Sequence, residues 1–175
     1  LADLIQTQIV DDVRAQYEDR WPRRGLWDRS YSESRTPEIP SMLLELLSHQ
    51  NLADMRYGAD PRFRFVVSRA IYKAMLRFQS QRYGFDYVVQ PLPVNSFAAV
   101  LEDKGGDKPC VRLSWKPVDD PTEPTASPES YIVYYNVEGG EAGHRVVSPK
   151  EGTSVSMEIE ADAIYSFKVV AVNKG

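Results

Sequence analysis

Cysteine and histidine are scarce in this 175-residue sequence: there is one cysteine, Cys110, and there are two histidines, His49 and His144. A lone cysteine excludes an intrachain disulfide. No apolar run approaches the roughly 20 residues that a membrane-crossing helix needs. There is no basic surplus either, with 21 Lys and Arg against 25 Asp and Glu and a net charge of −4. The clustered positive surface that phosphate backbones attract is therefore missing, and no nucleic-acid partner is expected. The chain opens Leu-Ala-Asp-Leu-Ile with neither Met nor a charged leader, so no signal peptide is read and a piece of a longer protein is expected. What remains is ordinary globular material, 42% hydrophobic and 26% charged, long enough for one large or two small domains.

The patterning changes near residue 90. Upstream, Leu1, Ile5, Ile9, Val13 and Tyr17 recur every four residues, which is one apolar stripe on a helix that ends before Trp21-Pro22. Asp60-Pro61 reads as an N-cap with proline in the first helical turn. The helix that follows buries Phe63, Val66, Val67, Ala70, Ile71, Ala74 and Phe78, turns Arg62, Arg69, Lys73 and Arg77 mostly to solvent, and stops at Gly84. Downstream come short alternating runs: Val111–Trp115, Tyr131–Val137, Arg145–Val147, Val155–Ile159 and Tyr165–Val172. Pro117–Pro128, Gly139-Gly140, Gly143 and Pro149–Gly152 separate them as turns, the pattern of an all-β sandwich. Gln90-Pro91-Leu92-Pro93 is a stiff linker, giving two domains, 1–90 and 91–175.

One residue stands out. Glu45 is the only charge in Ile39-Pro40-Ser41-Met42-Leu43-Leu44-Glu45-Leu46-Leu47. A carboxylate is costly to bury unless it is paired, so this one is either turned to water or held for a purpose. The run is a helix after Pro40 or a short buried strand; its brevity leans toward a strand in an α/β layer.

Two resemblances add to this. Trp115 on an early strand, the Tyr-rich middle strand, and Tyr165-x-Phe167-x-Val169-x-Ala171-x-Asn173-x-Gly175 resemble a fibronectin type III module, an immunoglobulin-like sandwich, over about residues 93–175. The resemblance implies that Trp115 is the core aromatic between the sheets and that Tyr165 is the corner tyrosine whose hydroxyl bonds upstream backbone. Tyr134 and Tyr135 point to opposite faces, one in the core and one exposed. There is no Arg-Gly-Asp tripeptide to argue for integrin-type adhesion. The family has seven strands. With the last one missing, the edge of the strand at Tyr165–Val172 is expected to pair with another chain, giving self-association.

From Arg35 to Asn51 the chain resembles the C-terminal part of a zinc-dependent N-acetylmuramoyl-L-alanine amidase of the third amidase family. The carriers are Arg35, Pro40, Glu45 and Asn51 at unbroken offsets, followed by the helix from Asp60. The resemblance covers roughly residues 1–84 and implies a partial, helix-rich α/β domain. It implies that Glu45 is the catalytic carboxylate, that Arg35 and Asn51 contact substrate, and that the parent uses zinc to cleave a peptidoglycan amide at the cell surface or in the envelope; His49, four residues after Glu45, is near enough to share the site as a further substrate contact, or is an ordinary polar residue of the following loop. Leu47 and Ser48 stand where the family has Gly-Phe. The family's zinc ligands lie upstream of the matching part, so this chain by itself is expected to hold no catalytic zinc and to be inactive. The alternative is a non-catalytic spacer or binding segment of an extracellular carbohydrate-active protein, such as a polysaccharide lyase whose active domain lies elsewhere; the other partner then is a cell-surface glycan.

Overall fold

The computed structural model describes all residues except Lys104, Gly106, Asp107, Pro149, Lys150 and Gly175. The last position of the Tyr165 motif and the start of the turn expected over Pro149–Gly152 thus lie outside the described residues. The chain divides into two compact units, Leu1–Tyr87 and Val88–Gly175. No helix among the described residues is long and apolar enough to cross a membrane.

The first unit contains four helices: α1 (Ala2–Gln16), α2 (Ser32–Arg35), α3 (Leu52–Ala59) and α4 (Pro61–Tyr83). The apolar stripes of α1 and α4 pack together through Ile5, Ile9, Val13, Phe63, Val66, Val67, Ala70 and Ala74. Asp60 caps α4, its Oδ1 accepting from the Arg62 backbone N–H at 2.8 Å, and Pro61 follows it in the first turn. Gly84 ends the helix at φ 70, a left-handed conformation that glycine takes without the Cβ penalty.

The seam corrects one expectation from the sequence. Lys73 does not face solvent. It is fully buried and forms an ion pair with Asp12 of α1 at 2.6 Å. Gln8, one turn before Asp12, donates from Nε2 to Asp12 Oδ1 at 2.9 Å. A charge inside an apolar seam persists only when it is paired and hydrogen-bonded.

A second correction concerns fold class. The described residues of the first unit include no β-strand, so an α/β layer is absent among them. Ser41–Leu47 is irregular, neither strand nor helix. A strand needs a neighbour to satisfy its backbone, and this unit offers none. The segment is placed instead by side chains, with Met42, Leu46 and Leu47 packed against the helical core and Ser41 Oγ donating to Ser34 O at 3.0 Å.

The described residues of the second unit form a β-sandwich of six strands: β1 (Asn95–Glu102), β2 (Cys110–Lys116), β3 (Ser130–Val137), β4 (Ala142–Val147), β5 (Ser154–Glu158) and β6 (Tyr165–Val172). They form two antiparallel sheets, ordered β1-β2-β5 and β4-β3-β6. Inward residues alternate along the strands, so Val111, Leu113, Trp115, Tyr131, Val133, Val147 and Val155 make one core. Trp115 is buried against Tyr131, with ring centroids 5.3 Å apart. The Tyr165 hydroxyl accepts from the Glu160 backbone N–H at 3.0 Å, the corner bond that the fibronectin type III resemblance implies. Tyr134 is exposed, while Tyr135 is half-buried and fills the space where any side chain on Gly143 would sit. Among the described residues, β6 has a strand on one side only, β3.

Candidate functional site

The residues flanking Glu45 fix where its carboxylate goes. Met42 on one side and Leu46 and Leu47 on the other are drawn into the helical core, while Leu43, Leu44 and Glu45 are exposed. Glu45 accepts no hydrogen bond from the described residues, and its carboxylate is available to water. It borders a hollow of about 100 Å³ shared with Gln6, Trp21, Arg24, Leu44 and Leu46.

The wall of that hollow is rigid. Trp21 belongs to an aromatic cluster with Tyr17, Tyr57 and Phe63, whose ring centroids lie 5.3–6.0 Å apart. Gln6 Nε2 donates to the Arg24 carbonyl at 2.8 Å, and Arg14 Nε donates to the Trp21 carbonyl at 2.9 Å, tying the loop after α1 back onto that helix. Arg23 is held by Asp3 and by Thr7 Oγ1, each at 2.5 Å, and Arg24, the next residue, lines the hollow that Glu45 borders.

The other candidates stand apart from the hollow. Arg35 ends α2 and donates from Nη1 to Ser30 Oγ at 3.0 Å. His49 is exposed and has no hydrogen-bond partner among the described residues. Asn51 is the N-cap of α3, its Oδ1 accepting from Ala53 N–H at 2.9 Å and Asp54 N–H at 3.5 Å. Asp54 reaches back to the Ser48 N–H at 2.8 Å, closing the turn that carries His49. None of Arg35, His49 and Asn51 lines the hollow that Glu45 borders. Of the residues that do share it, Gln6 and Trp21 carried no motif. Their recruitment depends on the path of the loop after α1, which spacing alone does not encode.

A second polar constellation joins α1 to α4. The Tyr17 hydroxyl donates to Asp60 Oδ2. That bond, with the Arg62 backbone N–H, holds the Asp60 carboxyl below the usual carboxylate range, and the same contact pushes Tyr17 up. The described residues contain no group of three or more His, Cys, Asp or Glu side chains placed to hold a metal ion. His144, the second histidine, is on β4 beside Tyr134 and belongs to the other unit. The donor set among the described residues does not fit a zinc ion.

No family model matches the chain, and no curated protein matches it. Among solved structures, an FN3 domain of human collagen XX is 19% identical with a TM-score of 0.36, over 51% of this chain and 85% of that one. A structure of titin kinase and its flanking domains is 20% identical with a TM-score of 0.35, over 49% of this chain and 14% of that one.

Proposed function

We propose that the first unit is the closing part of a secreted peptidoglycan hydrolase that cleaves the muramoyl-L-alanine amide, and that the second unit is its fibronectin type III-like spacer. The observation that carries this reading is the presentation of Glu45. It is the single charge of an apolar run, the run is anchored in the core at Met42 before it and Leu46 and Leu47 after it, and its carboxylate stands free at the rim of a walled hollow. A carboxylate so fixed can take a proton from water and hand it to a leaving amine. The offsets of Arg35, Pro40 and Asn51 from Glu45 support the same reading. The described residues hold no group of three metal-ligating side chains, so this reading takes the ligands of the metal that the amidase family uses to come from outside them. The setting is the cell surface or envelope.

The test is made in the longer protein that this reading requires. Glu45→Gln lowers kcat for release of stem peptide from purified peptidoglycan by about 10²–10⁴-fold, while metal content and the circular dichroism spectrum stay unchanged. Full activity in that variant, or no amide cleavage by the unsubstituted protein, leaves the first unit as a non-catalytic spacer or glycan-binding segment.

A further inference from the structure

Tyr131 and Val133 of β3 point into the sandwich core, so Ile132, Tyr134 and Asn136 face outward, and strand register sets what stands beside each. Tyr134 lies between His144 of β4 and Lys168 of β6, and all three side chains are exposed. The Tyr134 and His144 ring centroids are 6.0 Å apart. Ile132 lies between Val146 and Val170, which gives an apolar row beside the polar one. On the other side, Asn136 lies between Ala142 and Ser166. No Asp or Glu stands on these three rows, although the chain as a whole carries a net charge of −4. Among the described residues, the Lys168 ammonium, the Tyr134 hydroxyl and the His144 imidazole make no hydrogen bond or ion pair. A strand added beside β4 or β6 widens this face and leaves it uncovered.

Three properties of the face select its occupant. β3 is hydrogen-bonded to a strand on each side, so its backbone is already paired and a ligand here is held by side chains. The three rows span about 10 Å across the strands and about 14 Å along them. That is far short of the roughly 800 Å² per partner that a stable protein–protein interface buries, so the occupant is narrow. Lys168, on a face without an acid, attracts an anion. We propose that this face binds an acidic polysaccharide, one whose pyranose rings carry carboxylates. The C–H face of a sugar ring lies on the electron-rich face of Tyr134, its carboxylate meets Lys168, and its hydroxyls reach the Tyr134 hydroxyl and His144. A peptide rich in Asp and Glu offers the same charge but no flat C–H face for Tyr134. The inference concerns the second unit alone and does not depend on the enzyme reading of the first.

The experiment titrates the full chain with oligogalacturonate, followed by NMR, and compares the fully methyl-esterified oligomer and an oligoglutamate of matched charge. Oligogalacturonate is expected to shift the signals of Tyr134, His144 and Lys168 while those of the inward Val133 and Val155 stay in place. Affinity falls about 3- to 10-fold in Lys168→Glu and by about the same factor in Tyr134→Ala, with the near-ultraviolet dichroism of buried Trp115 unchanged in both. Tyr134→Phe, which keeps the ring, retains most of the affinity. The esterified oligomer, which keeps the rings and loses the charge, binds about 10-fold more weakly. Absence of shifts at the three residues overturns the proposal. So does equal affinity for the ester or for oligoglutamate, or full affinity in Tyr134→Ala, since the face then reads rings alone or charge alone.

Discussion

At the scale of single residues, the buried pair Asp12–Lys73 has the most to lose. Both side chains are almost fully enclosed, and neither can reach water if the other is removed. Lys73→Met therefore costs about 3–5 kcal/mol of stability, measured by urea unfolding of the first unit, whereas Asp12→Leu combined with Lys73→Met restores most of it. Full stability in the single variant would show that the remaining charge finds solvent. Asn51 is expected to behave differently. Its Oδ1 caps α3, so Asn51→Ala costs about 1 kcal/mol by the same measurement, and Asn51→Asp, which keeps the accepting oxygen, costs less. Trp115 was legible in the sequence because alternation puts it on one face with Val111 and Leu113, while alternation placed Tyr134 and Tyr135 on opposite faces without saying which one is exposed. Lys73 was not legible. Basic residues on a helix lie on a solvated face in most proteins, and nothing in the spacing of α4 reveals that Asp12 waits opposite on a helix some sixty residues upstream.

At the scale of elements, α4 shows how well local signals work when several agree. Asp60, Pro61 and Gly84 bound it in sequence and in structure alike. The Asp60 cap also makes α4 pH-sensitive. A carboxyl held below its usual range in the folded state stabilises above its unfolded pKa and loses that contribution as pH falls through the folded value. The first unit is therefore expected to lose urea resistance on acidification below about pH 4, and Asp60→Asn to flatten that dependence; an unaltered pH profile in the variant would count against it. Ser41–Leu47 failed as an element because its apolar content suits either a strand or a helix and the choice rests on neighbours. β1 went unread for the opposite reason. Asn95–Glu102 does not alternate cleanly, and its residues are exposed on both faces at the edge of its sheet, so the burial pattern that announces a strand is lacking.

At the scale of the molecule, the sequence changes from helical to alternating period near residue 90, and the structure divides the chain into Leu1–Tyr87 and Val88–Gly175, with the Gln90–Pro93 segment inside the second unit. Each unit has its own core, which predicts that a fragment starting at Val88 folds alone, keeping the near-ultraviolet dichroism of buried Trp115 and unfolding cooperatively. Loss of that signal on excision would mean that the sandwich needs the helical unit. The two ends of the second unit are also tied together, since Asn173 holds both Val89 and Thr125. Val89 is latched at both its backbone groups, its carbonyl to Asn173 and its N–H to Thr125 Oγ1, and Asn173 in turn holds the Thr125 carbonyl, so one side-chain amide closes a three-cornered latch at the entry to the sandwich and its loss leaves two carbonyls to find other donors.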